Sequence, residues 1–274
     1  MIERFWERFW DKEGKESSGM IYIRSEREID RIRESCRLVV ATFQKIGEII
    51  GAGMTTAELD HAIEEYINKL GGRPAFKGYR MDKVKKTFPA SSCISIEQVV
   101  VHGIPGSRKL QTGEIVSVDV GIEYQGYFGD AAKTFAIGKV DQQRQRLMKV
   151  TWDSLHQGIE KAVAGNRLSD ISHAIQVHVE SAGYNVVRDL VGHGVGKKLH
   201  EEPQIPNYGP PNKGARLRTG MVLAIEPMVN AGKADVKTEK DHWTVITKDK
   251  LPSAHFEHTV VVREGQAEIL TVGL

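Results

Sequence analysis

Asp119 and Asp130 stand eleven residues apart in I-V-S-V-D-V-G-I-E-Y-Q-G-Y-F-G-D-A-A-K-T-F, the stretch from Ile115 to Phe135. Val116, Val118, Val120 and Ile122 alternate with Ser117, Asp119 and Gly121. That alternation predicts a strand with Asp119 on the face away from the valines. A turn at Glu123 to Gly126 sends the chain back. Two registers are open. With Tyr124-Gln125 central, Asp130 lies directly opposite Asp119; with Gln125-Gly126 central, it lies one step diagonal. Either register puts both carboxylates on one face. Like charges so placed in an apolar segment imply a protonated carboxyl or a cation between them. The cation is favoured if more ligands exist.

Candidates stand in the second half. His193, in V-G-H-G-V-G, sits among small residues that let backbone approach a ligand closely, although a core histidine would read the same way. As a nucleotide fingerprint that glycine run is weak. Glu226 ends the apolar run M-V-L-A-I-E-P, where the following proline marks a strand end. Glu257 opens the hydrophobic run F-E-H-T-V-V-V. Four carboxylates and one imidazole are too much negative charge for one divalent ion. They suit two metals that share bridging carboxylates and hold a water or hydroxide near neutral pH. Such a pair also polarises a carbonyl, which points to amide hydrolysis. Manganese, iron, cobalt and zinc all fit this donor set. His102, just past V-V-V, and His200, opening a proline-rich loop to Pro211, are placed to donate to a carbonyl oxygen or protonate a leaving amine.

The elements that must position these residues are legible. Ser25 with Glu28 is a capping box for a helix with Ile29, Ile32, Cys36, Val39, Phe43 and Ile46 on its apolar face, stopped by Gly51 and Gly53. Thr55 with Glu58 opens a second, through Leu59, Ile63, Tyr66, Ile67 and Leu70 to Gly71-Gly72. A β-rich region is expected from Cys93 to Ile137, helices over Gln142 to Val163 and Ser169 to Ala182, and a last β-rich region over Val186 to Val262. Helix, helix, sheet thus occurs twice. Leu59-Asp60-His61-Ala62-Ile63 can be laid over Ile171-Ser172-His173-Ala174-Ile175, and Gly71 then falls on Gly183. The expectation is an internally duplicated α+β fold with a site between its halves.

A chain of 274 residues with 40% hydrophobic and 27% charged residues can bury a large core. A net charge of +2 gives no argument for a nucleic-acid partner, and Lys83-Val84-Lys85-Lys86 is the most basic block. Two distant cysteines, Cys36 and Cys93, exclude a disulfide framework or cysteine-based zinc site and make the cytoplasm the default location. No apolar run reaches membrane-span length. Phe5, Trp6, Phe9 and Trp10 recur at helical spacing among charges. Residues 1–19 read as an amphipathic or flexible extension, with Met20 an alternative start. Residues 20–274 are expected to form one catalytic domain.

The segments 92–105, 118–135, 191–209, 223–227 and 256–262 together resemble the type I methionine aminopeptidases of metalloprotease family M24, over about Met20 to Val262. The resemblance implies a pseudo-two-fold pita-bread fold: a curved antiparallel sheet flanked by two helix pairs, with a metal site between the halves. It implies that Asp119, Asp130, His193, Glu226 and Glu257 ligate two divalent ions (cobalt, manganese, iron or zinc), with Asp130 and Glu257 bridging. It gives His102 to substrate contact near the scissile bond, His200 to the carbonyl oxygen, and Glu226 a second role as general base. Tyr79, Phe88, Cys93 and Trp243 would line the methionine pocket. The implied reaction removes the initiator methionine from peptides and nascent chains, with preference for a small second residue. A cytoplasmic monomer in transient contact with the ribosome is the implied setting. Two departures matter: Val101, where many bacterial members have cysteine, should alter the pocket surface, and extra residues between Tyr79 and Phe88 should reshape its rim. The rivals are an aminopeptidase or dipeptidase cleaving before proline, disfavoured because no large N-terminal domain precedes the motifs, and a non-catalytic peptide-binding relative, disfavoured by the intact ligand set.

Overall fold

The computed structural model describes residues 20–80, 84 and 86–274. The aromatic extension 1–19, and Lys83 and Lys85 of the basic block, lie outside the described residues. In the first half, α1 (Glu26–Ile49) and α2 (Thr56–Lys69) precede β1 (Arg73–Pro74), β2 (Cys93–Ile96), β3 (Val99–Val101), β4 (Ile115–Tyr124) and β5 (Tyr127–Ala136). In the second, α3 (Gln142–Ile159) and α4 (Leu168–Ser181) precede β6 (Asn185–Val186), β7 (Val191–Gly194), β8 (Glu201–Pro206), β9 (Val222–Ile225) and β10 (Met228–Asn230). Then come β11 (Val236–Thr238), β12 (Val245–Thr247), β13 (Ser253–His255), β14 (Glu257–Val261) and β15 (Glu268–Ile269).

Both expected capping boxes form: the backbone N–H of Ser25 donates to the Glu28 carboxylate, and that of Thr55 to the Glu58 carboxylate. The duplication is visible in packing. Leu59 and Ile63 on α2, and Ile171 and Ile175 on α4, are buried at matching positions, and Gly71 and Gly183 follow the two helices with φ of +79° and +84°. The principal sheet runs β1-β4-β5-β14-β9-β7-β8, with β2 also on β4 and β15 on β14. The C-terminal half of α1 and all of α2 cover the valines of β4, while α3 and α4 cover Leu223, Ile225 and Val260 of the other half. The N-terminal half of α1 packs against Val222, Ala224 and Val261 and so ties the halves together.

Three expectations are corrected. The α3 helix ends at Ile159 rather than Val163; Ala162 is buried at helical spacing after the backbone has already turned. The segment after His200 is a strand, β8, and not a loop. It tolerates Pro203 and Pro206 because it is the outermost strand of the sheet. Val101 does not face the pocket but packs with Val100, Val187, Met228 and Val245.

At Gly192, before His193, a Cβ would lie 2.4 Å from the Ala224 carbonyl oxygen of the neighbouring strand. Gly192→Ala is therefore expected to lower the urea unfolding free energy by about 1–3 kcal/mol, because β7 must move off β9. An unchanged unfolding midpoint would contradict this packing.

Candidate metal centre

Strand register brings the five candidate ligands together. Tyr124 pairs with Tyr127, so Gln125 and Gly126 form the turn, with φ of +52° and +81° as a tight hairpin turn requires. This is the diagonal alternative: Asp119 faces Ala132, and Asp130 faces Gly121. Paired residues share a face. Glu257 pairs with the same Ala132 from β14, and His193 of β7 pairs with Ala224 of β9. Glu226 lies two positions beyond Ala224. Carboxylates from both halves and the histidine thus meet across five adjacent strands, β4-β5-β14-β9-β7. Beyond Ala131 and His258 the central strands part, and Thr259 bridges the opening: its hydroxyl donates to the Asp130 carbonyl at 2.7 Å and accepts from the Asp130 N–H at 3.3 Å.

One ligand atom each from Asp130, His193 and Glu257 lies within 4.8 Å of the others, and all three residues are buried. The His193 Nε2 is 3.4 Å from Glu226 Oε1 and 3.8 Å from Asp130 Oδ2. Its Nδ1 is 2.9 Å from the Gly194 carbonyl oxygen, which makes Nδ1 the donor and leaves the Nε2 lone pair facing the carboxylates. Asp119 Oδ1, Asp130 Oδ1 and Glu257 Oε1 are buried without a hydrogen-bond partner. Burial pushes the Asp130 carboxyl up to about 7. Burial, then the surrounding carboxylates, holds Asp119, Glu226 and Glu257 well above their usual range. Burial also lowers His193 to about 4, so its imidazole is neutral. A neutral nitrogen lone pair and partnerless oxygens among crowded carboxylates fit divalent cations.

Beside this cluster lies a cavity of about 80 Å³. Its walls include Tyr79, Phe88, Cys93 and Trp243, as the resemblance implied, together with Phe76, which sequence reasoning missed. Tyr79 and Phe88 stay adjacent despite the residues between them, because the Phe88 N–H donates to the Tyr79 carbonyl at 2.8 Å. Cys93 is the cross-strand partner of Asp119, which joins pocket to cluster. Asp60 of α2 fixes the approach to Cys93 by accepting from the Ser91 and Ser92 N–H groups. His102, with φ of +57°, leaves its strand to face the cavity, and burial lowers its pKa to about 4. The His200 Nδ1 is 2.6 Å from the Tyr79 hydroxyl, and its ring lies 4.3 Å from that of His193.

His255 was also missed. It is 1% exposed, with Nε2 unpartnered and 3.7 Å from Glu226 Oε2. Within S-A-H-F-E-H it looked like ordinary alternation. Only its distance from a carboxylate just ahead of the neighbouring strand β10 marks it.

Residues 30–264 match the family described as Metallopeptidase family M24. The chain is 50% identical over 252 residues to methionine aminopeptidase 1 of Bacillus subtilis, covering 92% of this chain and 99% of that one. It is 44% identical over 250 residues to the methionine aminopeptidase of Borreliella burgdorferi, covering 91% and 97%. The crystal structure of methionine aminopeptidase from Thermotoga maritima superposes with a TM-score of 0.88 at 45% identity, over 92% and 99% of the two chains. The architecture is the pita-bread fold of these enzymes. Prolidase from Pyrococcus furiosus shares the fold at 23% identity and a TM-score of 0.74, but this chain covers only 65% of it.

Proposed function

The chain belongs to metallopeptidase family M24, and from that premise we propose that it removes the N-terminal methionine from peptides and nascent chains by metal-dependent hydrolysis of the first peptide bond. The observation that carries this reading is the convergence of Asp119, Asp130, His193, Glu226 and Glu257 beside an aromatic-walled cavity. Divalent metal use follows from the family and from the Asp130, His193 and Glu257 group. Two ions are proposed, because four carboxylates exceed the charge of one; Asp119, Asp130, His193, Glu226 and Glu257 would hold them. When bound, the ions supply Lewis-acid polarisation of the carbonyl and acidify water.

The chain's own groups supply the rest. Tyr79, Phe88, Cys93 and Trp243 hold the methionine side chain in a largely apolar pocket. His102 faces the peptide near the scissile bond, and His200 donates to the scissile carbonyl oxygen. Glu226, its pKa raised by burial and then by Asp130, takes a proton from the attacking water. The water oxygen bonds to the carbonyl carbon, the carbon–nitrogen bond breaks, and the proton passes to the leaving amine. The Tyr79–His200 contact narrows the exit side of the pocket, in keeping with a small second residue. Cytoplasmic location, a monomeric state and transient contact with the ribosome remain part of the proposal; among the described residues no helix is long and apolar enough to cross a membrane.

The test is a comparison of peptides. Met-Ala-Ser is expected to release methionine, and an Ala-Pro peptide to remain intact. The reverse preference would favour the proline-specific reading, which shares the fold.

His255 is placed to hold Glu226 in position. His255→Ala is expected to slow methionine release by about 10-fold or more, with His255→Gln, which keeps a donor, recovering most of the rate. Equal rates for both variants and the wild type would remove His255 from the account.

A further inference from the structure

A second cavity, of about 410 Å³, opens from the site, and His193 and His200 line both. Its floor is the β7–β8 ribbon. Val191 pairs with Pro206, so Val191 and His193 share a face with Gln204 and Glu202, and this strip leads outward from the metal cluster. One wall is the segment before α1, where Met20 and Tyr22 line the groove and are 72% and 44% exposed. Lys198 also lines the groove and is exposed. The wall is anchored. Arg24 is ion-paired with Glu201 at the start of β8, its N–H donates to the Gly220 carbonyl at 2.8 Å, and its guanidinium stacks 4.6 Å from the Tyr22 ring.

We propose that this groove carries the substrate polypeptide beyond the scissile bond, in extended form. The inference rests on the peptidase reading and names what that reading leaves open. A substrate enters with its first side chain in the small aromatic-walled cavity of about 80 Å³, which is too small to hold further residues as well. Everything after the scissile amide must leave past His200, and the groove begins there. Strand geometry of about 3.3 Å per residue gives the strip from His193 past Val191 room for roughly two or three substrate residues. Gln204 donates and accepts, Glu202 accepts and Lys198 donates, which suits the alternating N–H and C=O groups of an extended peptide. Met20 and Tyr22 offer apolar surface to its side chains.

The experiment measures kcat/KM for methionine release by the metal-loaded full chain on peptides that begin with Met-Ala and lengthen one residue at a time. Wild type is expected to gain about tenfold with length, equal to about 1.4 kcal/mol, and then level off. A Tyr22→Ala, Gln204→Ala double variant is expected to lose that gain, its rate on every longer peptide falling to the level wild type shows with Met-Ala. A rate independent of length, or an equal loss on short and long peptides, overturns the groove. So does a selective gain on long peptides in a Trp6→Ala, Trp10→Ala variant, because the chain's own N-terminal segment would then be the occupant. No release from any peptide would instead refute the peptidase reading, and the groove with it.

Discussion

Asp119→Asn is expected to have opposite effects on activity and on the metal-free fold. Methionine release should fall by more than about a hundredfold, since even the outer partners of metal ligands act on that scale. The metal-free protein should become more stable. In the wild type, burial and the charges of Asp130 and Glu226 push the Asp119 carboxyl far above its usual range. Each unit of that displacement opposes folding at neutral pH by about 1.4 kcal/mol. An asparagine keeps the shape and removes the repulsion, so thermal unfolding in chelator should move upward. Asp119 also pairs with Cys93 on the next strand, so a merely structural aspartate would give the other sign. A collapse of the metal-free variant would mean that Asp119 is not part of a shared cation site.

The second large effect is the exchange of ions for protons. Without metal, Asp130 titrates near 7, and Asp119, Glu226 and Glu257 are also raised. These groups bind protons more tightly folded than unfolded, so their contribution to stability is full below about pH 4 and is lost as pH rises through the folded values. Buried histidines act in the opposite sense. His102 and His193 are lowered to about 4, and His255 and His258 to about 3, so stability is gained as pH rises from there to about 6.5. The two sets offset each other in acid. Between about pH 6.5 and 8 the carboxylates dominate and the metal-free protein should lose stability as pH rises; above that range the Cys36 and Cys93 thiols, raised by burial, add to the loss. With a divalent ion the protons are displaced, binding strengthens as pH rises, and the trend should reverse. Thermal unfolding between about pH 6 and pH 9, with chelator and with manganese, reads both slopes. Parallel slopes would mean that the carboxylates do not hold the ion.

Much of this site was legible because its parts are local. Alternation on β4 shows which way Asp119 points, and parity puts Asp130 on the same face whichever turn forms. The glycines around His193, and the strand-end positions of Glu226 and Glu257, stood out for the same reason. Helix starts and stops were legible from capping residues. What escaped depends on pairing between distant segments. The register of the hairpin turned on the positive φ of Gln125, which the sequence around it permits but does not require. Two prolines made β8 look like a loop, because sequence alone does not reveal that it is an edge strand. The pairing of β3 with β12 shifts register between Val99 and Val101, so strict alternation fails there and the direction of Val101 could not be projected from the residues before it. His255 and Thr259 gain their meaning only where β13 and β14 come beside Glu226 and Asp130.

The most direct measurement is free methionine released from Met-Ala-Ser by chelator-stripped protein as manganese or cobalt is restored. The account predicts no release from the stripped protein, and recovery that saturates with added ion, leaving Ala-Ser as the second product. Release that persists in chelator, or none with any divalent ion, would contradict it.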